Sequence, residues 1–209
     1  MPSPRRFATA FSLLLALLPL WPLAGQAADA ALVEALRGGG FVLYFRHAET
    51  DWSQTDRRHE AGWDSCDPAQ MRQLSAAGRE TARRVGEALR RLRIPVGRVV
   101  ASEFCRTRET ARLLALGAVE TSRDLVNVTH AGQAGGTEAL RQRARRLLAT
   151  PPPAGTNVVL VSHGNVFMLV AEQRPVEGGA AILRPDGEGG FEIVAHVAPE
   201  DWRRLAAMP

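Results

Sequence analysis

The sequence predicts an α/β fold, a three-layer sandwich with a mostly parallel central sheet. Three observations carry that prediction. A continuous apolar run at 41–45, and segments at 98–101 and 157–161 that are apolar after Arg98 and Asn157, suit short buried strands. Between them lie segments whose apolar residues recur at helical spacing, so strand and helix alternate. Glycine and proline clusters mark the joints.

Taken in order, residues 29–37 read as a short amphipathic helix stopped by Gly38, Gly39 and Gly40, after which the first strand begins. Residues 51–73 are polar and charged, with Trp52, His59 and Trp63 among them; so long a stretch is functional or carries short structure of its own. Ser75 is placed to cap a helix in which Gly78, Ala82, Val85, Leu89 and Leu92 share a face, up to the break at Pro95. The second strand, 98–101, leads into a helix over 107–116, with Thr110, Leu113 and Leu114 on one side and Gly117 as its stop. A further helix, 137–149, uses Leu140, Ala144, Leu147 and Leu148, and three prolines at 151–153 end it. The third strand is 157–161. Finally, 180–184 and 191–197 flank Asp186-Gly187-Glu188-Gly189-Gly190 and read as a β-hairpin.

The composition, 45% hydrophobic and 23% charged over 209 residues, gives one domain with a sizeable core. It excludes disorder, and two cysteines exclude a disulfide-dense scaffold. All 26 basic residues are arginine, which accounts for a pI near 10.3, because arginine does not deprotonate in any accessible range. The net charge is only +4, with no basic stripe, so nucleic acid is not an expected partner. Arg141, Arg143, Arg145 and Arg146 read as a solvated helix face, with membrane-surface or nucleic-acid contact as the lesser alternative.

Residues 1–27 have the three parts of a secretory signal. Arg5 and Arg6 supply the positive start, 7–18 is apolar apart from Thr9 and Ser12, and Gly25-Gln26-Ala27 offers small residues for cleavage before Ala28. The run falls short of the roughly 20 apolar residues a spanning helix needs. Without Arg5 and Arg6, 24 arginines face 22 acids, a net of +2. A mature domain over 28–209, periplasmic or secreted and with no membrane span, is the expectation. That compartment is oxidising, and Cys66 and Cys105 are the only cysteines, so a disulfide between them is expected. The alternative is a free, low-pKa thiol at Cys105 beside Arg106.

The three strands end in suggestive residues. The first runs into Arg46-His47-Ala48-Glu49-Thr50, the second into Ser102-Glu103-Phe104-Cys105-Arg106, the third into Ser162-His163-Gly164-Asn165. In parallel sheets ligands sit at the carboxyl ends of strands. Arg46, His47, Arg106 and His163 would therefore share one rim, with guanidinium forks for phosphate oxygens and an imidazole able to attack phosphorus. No His/Cys/Asp/Glu cluster has metal-ligand spacing, and neither a metal nor a cofactor is expected.

These motifs resemble the histidine phosphatase superfamily, in the branch that includes phosphoglycerate mutases. That family carries Arg-His-Gly-Glu after its first strand, then Ser-x-x-x-Arg-x-x-x-Thr-Ala, and later Ser-His-Gly-Asn. Here Ser102, Arg106, Thr110 and Ala111 match the second motif, residues 162–165 the third, and Leu74-Ser75-x-x-Gly78 the start of the first long helix. The resemblance implies a phosphoglycerate mutase-like fold, with His47 as the nucleophile that becomes phosphohistidine. Arg46, Arg106 and His163 would bind the phosphoryl oxygens.

Two positions depart from the pattern. Ala48 replaces a glycine, a small-for-small change. Many relatives also carry an acid in a Leu-Asn-Glu-like segment, whereas here residues 124–128 place Val128 where the acid would fall. A general acid is typically worth about 10²–10⁴-fold in rate. Asp51, Asp56 and Asp124 are the candidate replacements. The leading expectation is an exported phosphatase acting on a small phosphate monoester. The alternative is a weakly active or non-catalytic protein that binds phosphorylated ligands. A glycolytic mutase is disfavoured by the leader and by the lack of a large insertion.

Overall fold

The computed structural model describes residues 21–56 and 62–208, so most of the expected leader, and His59, lie outside the described residues. The apolar runs form the expected strands because each alternates its side chains between two buried faces. Strand β1 (Val42–Arg46) lies beside β4 (Asn157–Ser162), which lies beside β2 (Val96–Ser102), which lies beside β3 (Val119–Ser122); all three pairings are parallel. On the other side of β1, β5 (Ala180–Pro185) and β6 (Phe191–Val197) add antiparallel, giving the order β3-β2-β4-β1-β5-β6.

Leu43, Phe45, Val99, Ala101, Val159 and Val161 point to one side of this sheet. There they meet α1 (Trp21–Gly38), α2 (Ala76–Arg91), α3 (Cys105–Leu114) and α6 (Pro199–Ala206). Val42, Tyr44, Val100 and Leu160 point to the other, against α4 (Thr137–Ala149) and α5 (Gly164–Ala171). The period of two thus places both helical layers.

Several boundaries differ from the sequence expectation. Helix α1 begins at Trp21 rather than near 29, although its first buried residue is Val33. Helix α3 starts at Cys105 and ends at Leu114, with Ala115 in the left-handed conformation, so the stop precedes Gly117. Strand β3 and helices α5 and α6 were not anticipated. In β3 only Val119 is apolar, and it forms an edge whose other residues are polar. On α4, Arg143 is tied inward to Asp124 and the Ala134 carbonyl, and Arg145 lies over Phe191. Arg141 pairs with Glu138, so three of the four arginines expected as a solvated face have partners.

Residues 51–73 leave and return through a closed neck. Thr50 bridges Leu74, Asp51 N–H donates to the Gln73 carbonyl, and Ser75 N–H donates to the Glu49 carbonyl. Ser75 caps α2 as expected, accepting from Gly78 N–H at 2.9 Å. Gly78 is required there: a Cβ would stand 2.0 Å from the Glu49 carbonyl oxygen.

Candidate active site

The parallel register brings the carboxyl ends of β1, β2 and β4 together, and with them His47, Ser102 and His163. The His47 backbone is fixed on both sides: its N–H donates to the Ser162 carbonyl and its carbonyl accepts from Gly178 N–H. The ring is 3% exposed, and its Nδ1 lies 2.9 Å from the Ala48 carbonyl oxygen. A carbonyl can only accept, so Nδ1 carries the hydrogen and Nε2 keeps its lone pair. Burial, then the guanidinium of Arg106, with Arg46 and Arg72 adding less, hold the ring well below the ordinary histidine value of 6.5. His47 is therefore neutral at neutral pH, with Nε2 as a ready nucleophile.

His163 stands beside it, ring centroids 5.5 Å apart. Its Nε2 is 3.1 Å from Ser102 Oγ, and its carbonyl accepts from Tyr44 Oη at 2.9 Å. Burial and then Arg106 lower this imidazole well below its usual value too. Gly164 next to it leaves room for two arginines: a Cβ there would meet Arg174 at 2.8 Å and Arg46 at 3.1 Å.

The spacing of Ser102, Arg106 and Thr110 now has a physical reading. Ser102 ends β2 and holds His163; Arg106 lies in the first turn of α3; Thr110, one turn further, accepts from Ala48 N–H at 3.1 Å. One helix face thus carries Arg106 and anchors the backbone beside His47.

Arg106 is 1% exposed and gives both Nη atoms to Asp56, at 3.0 and 3.1 Å, with Nη1 also on the Arg72 carbonyl. Asp56 thereby takes the end edge of the guanidinium and leaves the Nε edge open. Arg46 is anchored in the same manner, with Nη2 on Glu177 at 2.9 Å and Nη1 on the Pro175 carbonyl. The result is a set of buried nitrogen atoms with no partner: Arg46 Nε, Arg72 Nε, Arg106 Nε and His163 Nδ1. Buried polar groups left unpaired are costly and rare, and clustering four of them around one imidazole marks an anion site.

The four residues expected from the sequence, Arg46, His47, Arg106 and His163, do come together, beside Asp56 and Arg72 of the 51–73 segment. Three further residues were missed or misread. Arg72 adds a third guanidinium, braced over Trp52 at 3.9 Å; its only sequence signal is its place two residues before Leu74-Ser75. Glu177 had no signal. Asp56 was considered as a proton donor and is instead the anionic anchor of Arg106. Partial burial pushes its carboxyl up, but Arg106 and the Arg72 backbone N–H outweigh that and hold it below 3.8. Cys66 and Cys105 form a disulfide, Cα atoms 5.2 Å apart, tying the long segment to the residue before Arg106. Among the described residues no three His, Cys, Asp or Glu side chains gather as a metal would need, and no helix is long and apolar enough to cross a membrane.

Comparison with known proteins agrees with this geometry. The histidine phosphatase superfamily (branch 1) matches residues 42–146, and the chain belongs to that family. It is 29% identical to the "Probable phosphoglycerate mutase GpmB" of Enterobacter sp. (strain 638), covering 59% of this chain and 69% of that protein. Among solved structures it is similar to the protein histidine phosphatase SixA complexed with tungstate, at TM-score 0.51 and 17% identity over 77% of this chain and 98% of that one. The α-ribazole phosphatase of Shigella flexneri (TM-score 0.54, 16%, covering 76% and 96%) shares the fold. So does a mycobacterial glucosyl-3-phosphoglycerate phosphatase (TM-score 0.54, 18%, covering 77% and 100%).

Proposed function

We propose that the chain is an exported phosphatase that hydrolyses small phosphate monoesters through a phosphohistidine on His47. The observation that carries the reading is the set of four unpartnered buried nitrogens around a neutral imidazole. The nonbridging oxygens of a phosphoryl group would pair with Arg46, Arg72, Arg106 and His163 and relieve them. His47 Nε2 then attacks phosphorus, the P–O bond to the leaving group breaks, and water later displaces phosphate from the imidazole. Three guanidiniums offset the charge that would otherwise repel a nucleophile from a dianion.

Export is part of the proposal. Residues 25–28 of α1 are exposed and burial begins at Val33, so cleavage before Ala28 would leave the core intact and a domain over 28–209. The disulfide suits an oxidising compartment.

The test is a panel of phosphate esters with rapid quenching at alkaline pH and mass mapping of residues 41–57. Turnover with an acid-labile, base-stable phosphoryl group on His47 is expected. Tight oxyanion binding without turnover would favour the alternative, a binding protein for phosphorylated ligands. Label on another residue would overturn the nucleophile, and a mature N-terminus still at Met1 would overturn export.

A further inference from the structure

Two of the three guanidiniums around His47 are already paired inside the protein. Asp56 holds Arg106 at 3.0 and 3.1 Å, Glu177 holds Arg46 at 2.9 Å, and Arg72 lies over Trp52. Both imidazoles are neutral, held well below the ordinary histidine value by burial first and then by Arg106. Three cations against two anions leave one net positive charge. A phosphate monoester brings about −1.5 to −2 at pH 7. One more cation would complete the match.

Arg174 is placed to supply it. It lies on the loop 172–179 between α5 and β5, which frames the site. The Pro175 carbonyl and Glu177 hold Arg46, Gly178 N–H donates to the His47 carbonyl, and the Gly179 carbonyl accepts from Arg46 N–H. Gly164, next to His163, has no side chain, and the stems of Arg174 and Arg46 share the space it leaves. A Cβ there would meet Arg174 Cγ at 2.8 Å, Arg174 Cδ at 3.0 Å and Arg46 Cδ at 3.1 Å. The two charges repel. Burial lowers the Arg46 guanidinium from its ordinary value, Glu177 opposes that, and Arg174 lowers it further, ahead of Arg72. Arg174 is exposed, and among the described residues its guanidinium has no ion-pair or hydrogen-bond partner. Exposure rises in order from buried Arg106 through the half-buried Arg46 and Arg72 to Arg174. A cation held against a cationic site, with no anion of its own, costs repulsion that an incoming dianion would reverse.

We propose, resting on the phosphatase reading above, that Arg174 is the specificity-determining fourth guanidinium of the phosphate site: it meets the phosphoryl dianion from the solvent side and selects doubly over singly charged oxyanions. The inner three guanidiniums hold the oxygens while bonds form and break, whereas Arg174 acts alike on the bound ester and on the transition state. Its contribution therefore falls in KM and not in kcat. It is also sensitive to salt, because exposed charges are screened more than buried ones.

The test uses the full chain and two tetrahedral probes, sulfate with two charges and perchlorate with one, titrated calorimetrically in low-salt buffer. Arg174→Ala should weaken sulfate about tenfold and perchlorate about threefold, because Coulomb energy scales with the charge of the ligand. Arg174→Lys, which keeps the charge, should stay within about threefold of wild type for both. Raising the salt to about 0.5 M should shrink the tenfold difference for sulfate. With p-nitrophenyl phosphate, Arg174→Ala should raise KM about tenfold and leave kcat within about twofold. Unchanged sulfate affinity, equal loss for both anions, or a fall in kcat at constant KM overturns the assignment. Failure of the phosphatase reading looks different: wild type would bind sulfate and weaken in Arg174→Ala, yet turn over no ester.

Discussion

The site is assembled from two regions held in different ways. His47 and His163 stand on strand ends whose backbones are locked by parallel pairing, and their neighbourhood follows from the sheet. Asp56 and Arg72 come from the 51–73 segment, which reaches the site through side chains: an ion pair, a guanidinium stacked on Trp52 and a disulfide. On the proposed reading the first region supplies the reacting atom in fixed geometry. The second supplies charge and cover. Groups on the rigid region should therefore be all-or-none, and groups on the other should be graded.

The largest effect expected follows from the first half of that comparison. His47→Ala should lower turnover by on the order of 10⁴-fold or more with fold and phosphate affinity retained, because it removes the neutral imidazole proposed to attack phosphorus. Steady-state rates alongside a thermal melt decide it; residual activity within tenfold would mean that the strand end does not hold the nucleophile. Arg72→Ala should cost less, about 10²–10³-fold in kcat/KM, as for loss of one charged donor to a transition state. Its anchor Trp52 is 67% exposed, so the change should leave the melting temperature nearly unmoved. A loss as large as that of His47→Ala would erase the distinction between the regions.

Legibility in the sequence divided along the same line. Arg46, His47, Arg106 and His163 could be found because each sits at or just past the end of an apolar strand, where topology alone brings residues together. The Ser102-Arg106-Thr110 spacing could be matched, although its cause, a strand end that holds His163 followed by a helix face that carries Arg106 and holds Ala48 N–H, needed the structure. Arg72 was hidden because its position depends on how a polar stretch folds back, which carries no periodicity. Asp56 could be seen as an acid near the site but not as an ion-pair partner, since its role depends on meeting Arg106 across 50 positions. Strand β3 was missed because an exposed edge with one apolar residue looks like loop.

A smaller effect should separate the two regions by pH. Burial and the guanidiniums depress His47, so its lone pair persists on the acid side of 6.5. Protonation removes the nucleophile, so kcat/KM should fall with decreasing pH only below the ordinary histidine value, by at most tenfold per unit. Asp56 acts on stability instead. Its folded pKa is depressed, so its contribution is present above the unfolded value of about 3.9 and is lost as pH falls through the folded pKa. Thermal melts from pH 6 to 2 should show an acid loss near and below pH 4 that is diminished in Asp56→Asn. An unchanged acid limb in that variant would show that Arg106 is anchored by other groups.

The smallest effect on catalysis should come from the disulfide, even though its effect on stability is not small. Cys66 and Cys105 are separated by 39 positions, and closing a loop of that length is worth at most about 4 kcal/mol in the chain-entropy model. Arg106, the next residue after Cys105, has its own anchors in Asp56 and the Arg72 carbonyl, and α3 is held to the nucleophile's backbone through Thr110. The bond therefore restrains the approach of the 51–73 segment more than it positions the phosphate ligand. The Cys66→Ser/Cys105→Ser protein should melt at a lower temperature and keep kcat within about tenfold of wild type, with the larger change in KM as Asp56 and Arg72 lose register. Thiol titration of unfolded, unreduced wild type should find no free thiol. A double variant with an unchanged melt, or one as inactive as His47→Ala, would place the disulfide in the wrong region of this comparison.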